Sequence, residues 1–503
     1  MPRRASIHAA LIAIVFTSLV LAALITVGIA PKRAAFDAML YHEETIRTFV
    51  RAWPDAPMHD YLSATTPGYH LVSAFFARLV GTSYTALASL GSLWSLALVG
   101  TLAAACAHRS ANVITGVLCA LLVFASTYVH WAGAAVLPDN AAWFLVLVQI
   151  LLAIRILAST EPAVHTPPLS HPRFALHALL FGAAFFACVL VRQAHAWTAG
   201  LLIAAAWLAP GSHASHTSHL ASFFFPSKER IARVAMALWA LVPGIAALAL
   251  FVRLWDGLVP QRFAVQYPPK PLHDMLLSPA PIFVLAVFGM FAPFTIGLAW
   301  AGLQTWWRAH RALLLTLCTL VLLYSLFPIT TFDFDAGRRT GLWNIARKLP
   351  SIGHISPFMV LLALAGFVVL LGLLKQTSYR HRWVLSLSLL GFSLSFAASN
   401  ELWQRYAEPL VLIIIALCCA CIIPSLSRIT PRSALDQLML FWSKAGPAAL
   451  ALALLTLSTL STLKNPLDMR GEKPPTRDPI HQGITPPVEL PPMPRDGRTL
   501  WKP

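Results

Sequence analysis

Acidic charge is scarce in this chain. Only 20 Asp and Glu stand against 37 Lys and Arg, and charged residues of both signs fill just 11% of its 503 positions. A soluble globular domain carries roughly a quarter charged residues, so this scarcity, with 57% hydrophobic residues and a mean hydropathy of +0.68, excludes that class. A Walker A loop and a Rossmann glycine pattern are both missing, which speaks against nucleotide-driven transport. No repeat of fixed period is present either. The seven cysteines lie within or at the ends of apolar runs, including Cys418, Cys419 and Cys421. Successive helix positions point in different directions, so that cluster reads as packing and not as a metal site. His213, His216 and His219 have ligand-like spacing but no carboxylate or cysteine beside them, and they read as a flexible polar loop.

What is abundant is apolar sequence of membrane-crossing length. Windows of roughly 17 to 25 apolar residues fall at 7–30, 85–107, 111–128, 139–159, 175–191, 194–210, 234–252, 281–303, 313–331, 356–374, 384–399, 408–425 and 446–463. The expected fold is all-α, a polytopic transmembrane bundle of about 13 helices over residues 1–463. A proline-rich segment at 464–503 without apolar periodicity is expected to be a disordered tail. Arg3 and Arg4 precede the first window as in a signal peptide, but Leu11–Ala30 is long for such a core and no small-residue cleavage site closes it, so a retained helix is expected.

A cytoplasmic N-terminus places 16 of the 37 bases on the cytoplasmic side, facing only Glu161, Glu229 and Asp436. The opposite side then holds 21 bases and 17 acids and is chemically mixed, and this asymmetry of sign favours the cytoplasmic N-terminus. The net charge of +17 is then largely topology, and no nucleic-acid partner is expected. The lipid bilayer is the expected surround, a bacterial inner membrane or an ER membrane; no ER retention signal is present.

Under this threading the polar segments 31–80, 129–139, 192–197, 253–280, 332–355 and 400–407 all emerge on the non-cytoplasmic face. Phe36 to His70 is the longest early one, and it carries Asp37, Glu43, Glu44, Asp55 and Asp60, five of the 20 acids. Ionisable groups near hydrocarbon are expensive to keep, which makes them candidates for chemistry. Asp37 lies about one turn past the first helix. His42, Glu43 and Glu44 follow in a stretch that can continue as an interfacial helix with Ile46, Phe49 and Val50 on one side. A carboxylate held there can act as general base toward a sugar hydroxyl, or can merely solvate a loop.

Downstream, Asp60 leads into Thr65 and Thr66, which precede Pro67 and Gly68 in a tight hydroxyl-bearing turn. Arg192 and Gln193 sit between two apolar segments with almost no loop. Arginine there can snorkel to the headgroups, or its planar fork can bind a phosphate. Arg338, Arg339, Arg347 and Lys348 lie outside against the positive-inside trend, which calls for an anionic partner such as a lipid phosphate or phosphosugar. Glu401, Arg405 and Glu408 mark another helix boundary beside Trp403 and Tyr406, where aromatic-belt anchoring explains the rings but not the charges.

In this order the motifs resemble those of a GT-C glycosyltransferase, specifically the dolichyl-phosphate-glucose alpha-1,2-glucosyltransferase family. The resemblance spans residues 30 to 425. It runs through the acidic loop, Asp60 with Thr65-Thr66-Pro67-Gly68, Arg192-Gln193, the loop around Arg338 to Arg347, and Arg405-Tyr406 with Pro409. The family's acidic pair is Asp-Glu followed by a nearby His, whereas here Asp37 stands five residues before His42, and the proline-rich tail is a further departure.

The resemblance implies a GT-C-like bundle whose non-cytoplasmic loops form the site. It implies transfer of a hexose, glucose in that family, from a polyprenyl-phosphate donor to a hydroxyl of a glycan or lipid-linked acceptor, with inversion; no cofactor is expected. The base is then Asp37, with Glu43 or Glu44 as alternates. Arg192, Arg338, Arg339 and Arg405 are candidates for the leaving phosphate, and His42, Asp60, Thr65, Thr66, Gln193 and Arg347 for other substrate contacts. The competing expectation is a multi-pass transporter or flippase for an anionic or glycosylated lipid, in which Arg192 and Arg405 line a path near the midplane.

Overall fold

The computed structural model describes residues 2–158, 171–209, 227–264, 270–428, 430–464 and 466–469. The chain is a multi-pass membrane protein whose described residues are mostly helical. Nine helices among the described residues are long and apolar enough to cross a bilayer, or ten if one bent pair counts as a single span. In chain order the main helices are α1 (Pro2–Val27), α2 (Lys32–Asp37), α3 (Glu44–Ala52), α4 (Gly68–Val80), α5 (Tyr84–Ser110), α6 (Val113–Phe124), α7 (Thr127–Ala134), α8 (Asp139–Ala158) and α9 (His171–Val191). After these come α10 (Thr198–Leu208), α11 (Lys228–Trp255), α12 (Ala280–Ala309), α13 (Arg311–Ser325), α14 (Pro357–Gln376), α15 (Tyr379–Ala397), α16 (Gln404–Ile422) and α17 (Ala434–Lys464).

The difference from the expected 13 has a local cause in each case. Residues 111–128 fall in α6 and α7, which meet at an 80° bend. At 194–210 a 3₁₀ turn occupies Gln193–Trp197 and leaves α10 with 11 residues. At 313–331 the helix ends at Ser325, giving α13 15 residues. At 384–399, α15 is long enough but carries Arg380, His381, Arg382 and four serines, which lower its apolarity.

Burial sorts the helices. Every residue of α16 from Ala407 to Ala420 is buried, so this helix is apolar on all sides because all its sides face other helices. α1, α11 and α17 bury only 22%, 28% and 28% of their most apolar windows, leaving broad apolar faces suited to lipid.

Alternating traverses bring the ends of many elements together at one end of the bundle. There Ile29–Pro31 pairs antiparallel with Pro466–Asp468, with Ala30 opposite Leu467, and the Met469 amide donates to the Gly28 carbonyl at 2.7 Å. The first residues of the expected tail are therefore a strand, and α17 reaches Lys464. The rest of that segment lies outside the described residues, as do His213, His216 and His219. Directly after the strand, α2 runs into a π-helical turn at Ala38–Glu43 and then α3, a continuous helical stretch that buries Ile46 and Phe49.

Candidate functional site

The site is assembled from helix ends. Asp37 is the last residue of α2, Asp139 the first of α8, Arg192 lies just past α9, and Arg405 is in the first turn of α16. Arg405 Nη1 pairs with Asp37 Oδ2, and its Nη2 donates to the Tyr406 hydroxyl at 2.7 Å. Arg192 Nη1 pairs with Asp139 Oδ1 at 2.5 Å. Both pairs are largely removed from solvent, where a two-charge contact persists only with compensating geometry.

Aromatic rings tie these pairs into a ladder. Trp403 and Tyr406 stack with centroids 5.7 Å apart and planes 12° from parallel. The Arg405 guanidinium sits 4.4 Å from the Trp403 centroid and 4.8 Å from that of Tyr406. Arg192 lies 4.5 Å from the Tyr406 ring, and Arg339 lies 5.3 Å from that of Trp403. Arg339 also pairs with Glu401 at 3.0 Å. Three guanidinium groups thus alternate with two rings, each cation matched to one carboxylate, an arrangement that cation–π attraction and planar guanidinium stacking favour.

Beside the ladder lies a histidine pair. His42 Nδ1 and His70 Nε2 share a hydrogen bond of 2.9 Å, with the rings stacked at 5.2 Å. Burial pushes His42 down to about 4; Asp139 and Asp37 oppose the shift, and Arg405 and Arg192 reinforce it. His70, packed edge-on against Tyr69 and Phe49, is held well below the usual range, first by burial and then by His42. Both imidazoles are therefore neutral at pH 7.

The remaining expected residues do not join this cluster. Glu43 is buried and pairs with Arg47 at 2.9 Å, one turn along. Burial raises its carboxyl, with Arg47 opposing. Glu44 points outward to Arg51 at 2.5 Å and is 39% exposed. Asp60 is held bidentately by Arg262, at 2.6 and 2.5 Å, closing the first loop against residues 261–264.

Gln193 acts as a clamp. Its Oε1 accepts from the Thr66 amide at 2.9 Å, and its Nε2 donates to the carbonyls of Ala64 at 2.8 Å and Leu258 at 2.9 Å. Thr66 Oγ1 donates to the Val189 carbonyl at 2.6 Å, and Thr65 bonds Ser63 at 3.0 Å. The turn is pressed so closely to α9 that a Cβ on Gly68 would lie 2.6 Å from the Leu190 carbonyl oxygen. Arg338 braces its own turn, donating to Thr331 O at 2.9 Å and pairing with Asp333 at 3.1 Å. Arg347 is exposed against Phe332.

Three partners were absent from the sequence-based expectation: Asp139, His70 and Arg262. Asp139 follows Pro138 at the start of an apolar run, where it looks like any first-turn acid of a helix. The signal available was its place in segment 129–139, on the same face as Arg192.

Chemically, the cluster offers two adjacent guanidinium groups, a carboxylate at each, and a neutral imidazole. Arg405 Nε and Trp403 Nε1 are buried N–H donors without an acceptor among the described residues. An oxyanion is the natural complement of such donors. No group of three or more metal-ligating side chains occurs among the described residues. No protein-family profile matches the chain, and no curated protein or solved structure matches it.

Proposed function

We propose that the protein is a membrane glycosyltransferase of GT-C type. It moves a hexose from a polyprenyl-phosphate donor to an acceptor hydroxyl of a glycan or glycolipid, with inversion, on the non-cytoplasmic face of a bundle whose N-terminus is cytoplasmic. The observation that carries this reading is the array Asp37–Arg405–Tyr406–Arg192–Asp139, which sets a carboxylate and two cations side by side where helix ends meet the interface.

In this reaction the acceptor oxygen bonds to the anomeric carbon while the bond from that carbon to the phosphate oxygen breaks. The acceptor proton passes to Asp37, and polyprenyl phosphate leaves carrying one more negative charge than it had as the diester. Arg405 and Arg192 stabilise that charge as it develops. The donor phosphate competes with Asp37 for Arg405, so donor binding frees the carboxylate that must take the proton. Glu44, turned outward to Arg51, and Glu43, committed to Arg47, are less suited to the role. A transport path is less well supported, because the charges gather at one end of the bundle and not along it.

The test is to incubate purified full-length protein with a panel of polyprenyl-phosphate hexoses and a hydroxyl acceptor, following released polyprenyl phosphate by mass spectrometry. Turnover with at least one donor is expected, falling about 100-fold or more in Asp37→Asn. Absence of turnover with every donor, or full activity in Asp37→Asn, overturns the reading.

A further inference from the structure

At the end of the bundle remote from the acidic loop, a cleft opens beside α12 and α17. These helices approach as closely as helices allow: a Cβ on Gly297 would lie 2.6 Å from the Ser443 amide nitrogen, and one on Gly446 2.0 Å from the Phe294 carbonyl oxygen. Only glycine permits such an approach. From there the helices run on to their ends at Ala309 and Ala434. The cleft measures about 440 Å³, within the range of small-ligand sites.

A carboxylate heads this cleft. Asp436 Oδ1 accepts from Trp300 Nε1 at 2.9 Å and Gln304 Nε2 at 2.8 Å, and Oδ2 accepts from the Arg432 backbone amide at 3.3 Å. These donors are neutral and Asp436 stands in the first turn of α17, so the carboxylate is oriented by hydrogen bonds and by the helix N-terminus, with no cation paired to it. Arg308 and Arg432 line the same cleft, yet among the described residues neither guanidinium forms an ion pair with Asp436. A fixed anion and two cations therefore share one cavity without cancelling each other.

The cleft is flanked by the residue types of the headgroup region. On the adjoining turn Arg311 sits 4.8 Å from the ring of Trp307, which is 51% exposed, and Lys375 sits 5.4 Å from that of Trp306. Tryptophan with basic residues at helix ends marks the membrane–water interface. Met439 and Leu440 give the cleft an apolar wall.

We propose that this cleft binds an aminophospholipid headgroup of the phosphatidylethanolamine type, its ammonium on Asp436 and its phosphate on Arg308 and Arg432. A zwitterion satisfies both signs of charge at once. A purely anionic headgroup would leave Asp436 unmet and repelled. Choline cannot donate hydrogen bonds to the carboxylate and needs aromatic faces, whereas Trp300 turns its N–H to Asp436. This site is separate from the glycosyl-transfer reading and does not depend on it.

The test is native mass spectrometry of the full-length protein released from detergent containing equimolar phosphatidylethanolamine, phosphatidylcholine and phosphatidylglycerol. The ethanolamine lipid should be retained about tenfold over each competitor, a preference of about 1.4 kcal/mol. Asp436→Asn should abolish its advantage over phosphatidylcholine. Arg308→Ala leaves the carboxylate's three donors untouched and should lower ethanolamine-lipid retention several-fold, which keeps the test decisive if Asp436→Asn does not fold. Equal or greater retention of phosphatidylglycerol by the wild type, or unchanged retention in Arg308→Ala, overturns the proposal.

Discussion

Asp37 and Arg405 stand 368 positions apart and meet in an ion pair that joins the end of α2 to α16, the buried central helix of the bundle. Because Arg405 also bonds Tyr406 and stacks on Trp403, the pair couples the acidic loop to the whole aromatic ladder.

Removing one partner strands the other, and the two losses overlap. Asp37→Asn and Arg405→Gln should each lower the thermal unfolding midpoint. The double variant should fall short of the sum by about 1 to 2 kcal/mol, the size of coupling between contacting charges. A double-mutant cycle on unfolding in detergent measures this, and strict additivity would show that the contact carries no energy.

Acid should weaken the fold through the buried histidines. His42 is held at about 4, below its ordinary 6.5, so the folded protein binds fewer protons than the unfolded chain between those values. The stability its neutral form contributes is complete above pH 6.5 and is lost as pH falls toward 4, at up to about 1.4 kcal/mol per pH unit. His70, shifted in the same direction, adds to the slope. Glu43, whose carboxyl burial raises, pulls the other way, its contribution being lost as pH rises. Unfolding midpoints from pH 7 to 4 should therefore fall, and fall less steeply in His42→Gln; an identical slope in that variant would discount the pair.

Much of the bundle was legible in the apolar windows, because crossing length and apolarity are local properties of sequence. The shared face of residues 31–80, 192–197 and 400–407 was legible by alternation, and Asp37, His42, Arg192 and Arg405 do converge there. Which acid meets which base was not, since that depends on how helices hundreds of residues apart pack. Gln193 shows the limit well: the family resemblance offered it for a substrate contact, and the structure engages its amide with Thr66, Ala64 and Leu258. The strand at Pro466–Asp468 was invisible for another reason, as three residues with a leading proline carry no β pattern of their own.

The Gln193 clamp makes a local prediction. Gln193→Ala leaves the Thr66 amide and the Ala64 carbonyl without their partner, a loss of about 1 to 3 kcal/mol where such groups stay away from water. The effect should appear as faster amide exchange across 61–68, with exchange in α16 unchanged. Protection at Thr66 equal to that of the wild type would show that the clamp is dispensable.

The last prediction concerns the clasp that anchors the acidic loop. Ala30 is 1% exposed and Met469 2% exposed, so the two-stranded pairing is a packed element and not a fraying end. It stands immediately before α2, with Asp37 the sixth residue of that helix. Deleting residues from Pro466 onward removes every strand hydrogen bond to Ile29–Pro31 and uncovers Ala30, while α17 keeps its length. A two-stranded pairing is marginal alone and takes its stability from what it packs on, so the cost should be local and not global. Amide exchange at 29–37 should rise by an order of magnitude or more while the unfolding midpoint moves only slightly. If Asp37 depends on this anchor, the same truncation weakens its pairing with Arg405, and Arg405→Gln should then cost less in the truncated chain than in the full one. Equal costs in both would mean that α16 alone positions Asp37.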